Sequence, residues 1–436
     1  MAQMITLPWG KEQISMELPE KWNVKGSYEP ASLPPVPDAG VEAARSLNSP
    51  IGSDKLGDRV KPGMKVALVM DDGSRPTPVR VVYPHVMAEL RRGGVAEADI
   101  TVVPAIGLHR GMTEDEVRGR LGIGADALLS FTNPECDNDE SMLNLGTTRR
   151  GTPVWINKAV AEADCVVSIG CIEPHIIASF GGGYKNIIPG VAGRATTAHN
   201  HSLNCTSQTF NMVGQPIEGN PMRLDLEEGA SMLKPPVFIV NTILNNRQEV
   251  VRIVAGDPIQ AHRAGVEVSA TLYGVAVPGS ADIVITDSHP MDSDLRQGVK
   301  ALANTVRALK PGGIIITLVR AEEGVGVFGL ANSKLPFGRN ALQILAPALL
   351  PLVPKLKVKG LGEEDRFFLY FALQGMRLGK MYLVAPTIPA ETQSHLPFVR
   401  FWPTIEAAID AARKAFPGKA EVIVFPSGGI SYPRFA

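Results

Sequence analysis

Short, continuously apolar runs bounded by Gly, Asp or Pro recur along the chain, and they constrain its fold more than any other feature. In the first part they are VALVMDD (66–72), ITVVPAIG (100–107), CVVSIG (165–170) and VFIVNTIL (237–244). A run without polar alternation suits a strand covered on both faces, as in a parallel sheet. Between the runs lie stretches of helical character, TPVRVVYPHVMAELRRGG (77–94) and MTEDEVRGRL (112–121). This alternation predicts right-handed βαβ crossovers and a doubly wound α/β layer structure.

A second series follows LYGVAVPGS (272–280), with ADIVITDS (281–288), GGIIITLV (312–319) and KMYLVAP (380–386) as strands and 292–309 as a helix between the first two. At 436 residues the chain exceeds what one core usually supports. The expectation is an α/β protein of two domains with mostly parallel, Rossmann-like sheets and an interdomain cleft. The boundary is set near Gly274: residues 1–273, joined by 404–436, form the N-terminal domain, and 274–403 the C-terminal one. The first residues read as a strand, a turn at Trp9–Lys11 and a second strand.

Charge and composition narrow the partners. Against 44 Asp and Glu stand 43 Lys and Arg, for a net charge of -1, so no field gathers nucleic acid. A small molecule is the expected partner. The most apolar stretch, LQILAPALLPLV (342–353), is interrupted by prolines and far short of the roughly 20 residues that span a bilayer, so no membrane role is expected. Cys136, Cys165, Cys171 and Cys205 form no CxxC pair, and the N-terminal residues lack a secretory pattern, which together predict reduced thiols and a cytoplasmic protein.

Ligands of open α/β sheets bind beyond the carboxyl ends of the strands. After the first run come Asp71-Asp72-Gly73-Ser74-Arg75, after the second Gly107-Leu108-His109-Arg110, and after the third Glu173-Pro174-His175 and then Gly181-Gly182-Gly183-Tyr184-Lys185. Arg75 offers a planar fork suited to a carboxylate, though pairing with Asp71 or Asp72 would also account for it. His109 and His175 could each exchange a proton near neutral pH, and stereoinversion needs one such group on each face of a carbon. Both could equally be structural. The three glycines read as a turn or an anion cradle, and Lys185 as a covalent anchor or a solvated side chain.

His199 and His201, in HNH, could ligate nickel, copper or zinc; in an extended segment they point to opposite sides, leaving one for the site. On the helix after 292, with Asp292 or Ser293 as its cap, Gln297 and Lys300 share a face near the N-terminus. They could form the far wall of an anion site in the cleft, or an ordinary polar face. His85, His262, His289 and His395 read as structural.

The blocks ITLPWGKEQI (5–14), NSPIGSDKL (48–56), DDGSRPTP (71–78), GLHR (107–110), NKAVAEADCVVSIG (157–170), EPHIIASFGGGYKNIIPG (173–190), HNH (199–201) and QGVK (297–300) together resemble the nickel-dependent lactate racemase family. The resemblance spans both expected domains and implies that the N-terminal one binds the cofactor and the other closes over it. It implies a nickel-pincer nucleotide, a pyridinium-3-thioamide-5-thiocarboxylic acid mononucleotide carrying nickel, linked covalently to Lys185, with His201 as the metal ligand from the protein and Asp72 supporting the cofactor. His109 and His175 are implied as alternating bases, and Arg75, Gln297 and Lys300 as holders of the substrate carboxylate. The reaction implied is inversion at C2 of a 2-hydroxy acid by hydride transfer through a 2-keto acid, with cofactor-synthesis and maturation proteins as partners.

The sequence departs from the family pattern at Arg296, before the QxxK unit, at Phe367 and at Tyr184. Arg296 could meet a second carboxylate or sugar hydroxyls, which widens the expected substrate to a lactate-like or larger 2-hydroxy acid. The residues alone leave open a cofactor-free two-base or lysine Schiff-base racemase, and a non-catalytic 2-hydroxy-acid binding protein.

Overall fold

The structure, a computed structural model, describes residues 3–435 except 327, 333 and 356–362. The chain divides into two compact units, one built from Ser32–Leu203 and Gln215–Leu272, the other from the segment ending at Ala31, Asn204–Gly214 and the chain from Tyr273 onward. Both are α/β, as the sequence predicts.

The unit beginning at Ser32 is organised by a six-stranded sheet. Its order is Val250–Gly256, Val237–Leu244, Cys165–Cys171, Val66–Asp71, Ile100–Ala105 and Ser130–Phe131, with only the first strand antiparallel to its neighbour. The three central runs have every residue buried, which is why they show no polar alternation. Helix Val79–Arg92 lays Val79, Val82, Val86 and Leu90 into the core with Leu68, Met70 and Val167. Each such side chain contributes about 1.5–3 kcal/mol by leaving water. Helix Glu114–Leu121 begins in a capping box between Thr113 and Glu116 and stops at Gly122, whose φ of 71° most residues avoid.

The other unit has an all-parallel sheet in the order Arg400–Trp402, Gly379–Val384, Leu309–Leu318, Ala281–Asp287, Ala420–Phe425 and Trp22–Ser27. The hairpin Gln3–Trp9 and Glu12–Leu18 forms as expected and packs Leu7 and Leu18 into the same core.

Here the division differs from the expected one. Residues 1–31 and 404–436 belong with the chain after Tyr273, because Ala420–Phe425 pairs with Ala281–Asp287 on one edge and Trp22–Ser27 on the other. One segment of this unit begins at Tyr273. The segment after it is itself a strand, Gly274–Val277, paired with Tyr432–Phe435.

Candidate active site

The loops at the carboxyl ends of the Val66–Asp71 and Ile100–Ala105 strands bring Asp72 and His109 together. Nδ1 of His109 lies 2.7 Å from Asp72 Oδ2, while Asp72 Oδ1 accepts from the Ser74 backbone N–H at 3.1 Å and from its hydroxyl at 2.5 Å. Burial alone would raise the Asp72 carboxyl, but the hydrogen bonds from His109 and Ser74 outweigh it and hold it below its ordinary value. An ionised partner at Nδ1 fixes the proton there and leaves Nε2 as the nitrogen with the bare lone pair. Asp72, Ser74, His109, Arg110, Glu116 and Arg120 line a pocket of about 400 Å³.

Two neighbours keep the Asp72 loop in shape. Thr77 donates its hydroxyl to the buried Asp71 carboxylate, and Arg120 donates to the carbonyls of Arg75 and Thr77, each at 3.3 Å. Arg75 does not pair with Asp71 or Asp72. Its Nη1 forms an ion pair with Glu173 Oε1, with both side chains largely shielded from water. Glu173, which sequence reasoning passed over, therefore ties the first strand's loop to the third strand's.

His175 follows in the short pairing of Pro174–His175 with Ser179–Phe180. Its Nδ1 accepts from the backbone N–H groups of Ile177 at 3.2 Å and Ala178 at 3.1 Å. That bonding assigns the proton of the neutral ring to Nε2. Ser179 takes a left-handed φ of 64° to close this loop. The two histidines thus carry opposite tautomers, His109 with a bare Nε2 and His175 with a protonated one.

Lys185 lies half-buried in the short turn Gly183–Asn186 directly after the three glycines. His199 and His201 sit on helix Arg194–Ser202 rather than on an extended segment. Two residues apart on a helix they still face different ways: His199 Nδ1 meets the Thr152 hydroxyl at 2.8 Å, whereas His201 is buried. Among the described residues no three His, Cys, Asp or Glu side chains converge as a metal site. The free thiols are poor nucleophiles, since burial pushes Cys165 up to about 11 and Cys171 well above the ordinary range.

Gln297, Lys300 and Arg296 lie in the other unit, on helix Leu295–Thr305. Its cap is Asp294, which accepts from the Gln297 N–H at 2.8 Å, in place of the expected Asp292 or Ser293. The guanidinium of Arg296 stands 5.8 Å from the Phe368 ring centre, a cation–π distance. Phe367 is buried against Phe368.

Sheet and site together define an α/β protein that presents a carboxylate-backed histidine, a second histidine and an arginine at its strand ends. Residues 9–212 match the lactate racemase N-terminal domain. The chain is 31% identical over 327 residues to the lactate racemase of Thermoanaerobacterium thermosaccharolyticum, covering 74% of this chain and 75% of that one. It is 29% identical over 335 residues to the lactate racemase of Lactiplantibacillus plantarum, covering 76% and 77%. The lactate racemase apoprotein structure from T. thermosaccharolyticum matches with a TM-score of 0.83 and 25% identity over 99% of this chain and 100% of that one. A Thermotoga maritima protein, at 16% identity and a TM-score of 0.63 over 91% and 97%, shares the fold. The chain belongs to the lactate racemase family.

Proposed function

We propose that this chain is a cytoplasmic isomerase that inverts C2 of a lactate-like or larger 2-hydroxy acid. The observation that carries the reading is the His109–Asp72 pair, which presents a basic Nε2 at a strand end and supports the imidazolium that forms when it takes a proton. Family membership supports the reaction class.

Arg75, held against Glu173, is the proposed partner of the substrate carboxylate; Gln297, Lys300 and Arg296, on helix Leu295–Thr305, are proposed substrate contacts on the family resemblance alone. His109 Nε2 takes the substrate hydroxyl proton, and Asp72 stabilises the resulting charge. His175 delivers a proton from Nε2 to the oxygen of the opposite configuration only as the imidazolium, which carries its second proton on Nδ1 and so must release the two backbone amides that hold the neutral ring. To act as a base at Nε2, His175 must first move its ring proton to Nδ1 and give up both amide contacts. The two histidines therefore take unequal parts.

The hydrogen on a carbon next to an ionised carboxylate is too weakly acidic for an unaided imidazole. A nickel-pincer nucleotide, when bound, supplies a centre that accepts this hydrogen as hydride. The residues present fit such a group: Lys185 offers an amine for a covalent link, and His201 offers a buried imidazole of the kind nickel takes. A nickel ion held by His201 would take further donors from the bound organic group. Asp72, given over to His109 and Ser74, acts through the base. Loading requires the cofactor-synthesis and maturation proteins.

Chiral analysis of the loaded protein against lactate, malate, longer 2-hydroxy acids and sugar acids tests the reading. Inversion of at least one of them, lost in both His109→Ala and His175→Ala, is expected; full activity in either variant would contradict the two-histidine assignment.

A further inference from the structure

Helix Pro221–Ala230 carries three charged side chains that water barely reaches: Arg223 and Asp225 at 0% exposure and Glu227 at 6%. Charges are tolerated out of water only when each is paired or satisfied by hydrogen bonds, so their partners show what the helix is arranged to hold.

Arg223 reaches the loop that ends in Lys185. Its Nε donates to Glu227 Oε1 at 2.7 Å, and its Nη1 donates to the carbonyls of Phe180 at 3.3 Å and Gly182 at 3.1 Å. Its Nη2 meets the His262 ring at 3.1 Å. Burial, together with the Arg223 guanidinium, holds His262 well below the ordinary imidazole range, and the neutral ring donates from Nε2 to the Gly181 carbonyl at 2.8 Å. Three consecutive carbonyls before the Lys185 turn are thus gripped by two side chains. On the other side of the loop the Gly183 N–H donates to Asn241 Oδ1 at 2.8 Å. A Cβ on Gly183, whose φ is 61°, would come within 2.5 Å of Arg223 Nη2, so the close approach requires glycine.

Two residues further on, Asp225 reaches the helix that carries His201. Its carboxylate accepts from the hydroxyls of Thr148 at 2.5 Å and Thr152 at 2.6 Å, and from Asn200 Nδ2 at 2.8 Å. Asn200, next to His201, also donates to the Met222 carbonyl at 2.9 Å.

We propose that helix Pro221–Ala230 is a jig that fixes the two cofactor anchors relative to each other, Arg223 with His262 setting the backbone of Lys185 and Asp225 setting the helix of His201. This rests on the reading of Lys185 and His201 as anchors. Arg223, Asp225 and His262 are positioning residues. A merely structural helix would lose stability on substitution without separating one anchor's function from the other's.

The full chain is produced together with the cofactor-synthesis proteins and examined three ways: intact mass for the adduct on Lys185, nickel per adduct by elemental analysis, and thermal melting. Arg223→Met is expected to lower the adduct fraction at least about fivefold, with partial recovery in Arg223→Lys. Asp225→Asn is expected to keep the adduct but lower nickel per adduct at least about threefold. If Asp225→Asn does not accumulate folded, Thr148→Val, which removes one of its three donors, should show the same nickel loss in weaker form. If Arg223→Met does not, His262→Gln takes its place for the adduct.

Wild-type levels of both adduct and nickel in these variants would overturn the jig. So would parallel loss of both in step with melting temperature. A wild-type chain with no adduct on Lys185 would overturn the cofactor reading and the jig with it.

Discussion

Nδ1 of His109 sits 2.7 Å from Oδ2 of Asp72, and both residues line the same pocket. Asp72→Asn keeps the shape and removes the charge, so the ring loses both its fixed tautomer and the partner of its protonated form. A fall in kcat of about 100-fold or more is expected, by analogy with carboxylate–histidine pairs elsewhere. Because Asp72 is read as acting through His109, the adduct fraction on Lys185 should stay unchanged; a loss of loading that accounts for the loss of rate would assign Asp72 to the cofactor instead.

Arg75→Lys tests the carboxylate clamp. Lysine keeps the charge and can still approach Glu173, but it cannot present the planar fork. Hydrogen bonds to charged groups contribute about 1.5–3 kcal/mol, which corresponds to a rise in KM of about 10- to 100-fold with a smaller change in kcat. Steady-state kinetics with each enantiomer would show it. An unchanged KM would remove Arg75 from the substrate site.

Asp287, at the end of a central strand of the other unit, gives a pH prediction. Burial, with Asp292 adding to it, pushes its carboxyl up to about 8 against the opposing hydrogen bond from the His289 N–H. In the unfolded chain an Asp titrates near 4. Between about pH 4 and 8 the folded chain keeps a proton that the unfolded chain has released, so this group lowers stability as pH rises through that window and changes nothing further above it. Asp287→Asn retains an acceptor for the His289 N–H and removes the titration. The variant should melt at least about 3 °C above the unsubstituted chain at pH 8 and converge with it near pH 4. A gap that does not depend on pH would show that burial of the charge is not the cause.

Much of this was legible in the sequence, for local reasons. Val66–Asp71, Cys165–Cys171 and Val237–Leu244 are buried on both faces and so read as unbroken apolar runs. Asp72, Arg75, His109 and His175 follow such runs directly, which is where a parallel sheet exposes its ligand-binding end. What stayed hidden depends on long-range pairing. Nothing in the local pattern of Ala420–Phe425 says that it pairs with Trp22–Ser27. The burial of Arg223, Asp225 and Glu227 has almost no mark in the local sequence, where charge usually signals a solvated face, and their partners, drawn from segments far apart in sequence, explain it. The Arg–x–x–x–Glu spacing from 223 to 227 was the one available signal. Glu173 was passed over for the same reason, its partner Arg75 lying 98 residues away.

The central claim, inversion at C2 by hydride transfer with two histidines handling the hydroxyl proton, is tested most directly in deuterated water. A single enantiomer of a substrate found in the panel is incubated with the loaded chain, and product is examined by chiral chromatography and by NMR at C2. The account predicts formation of the other enantiomer with its original C2 hydrogen retained. Inversion that installs deuterium at C2 would contradict it in favour of proton abstraction by two bases, and binding with no inversion of any 2-hydroxy acid would contradict it altogether.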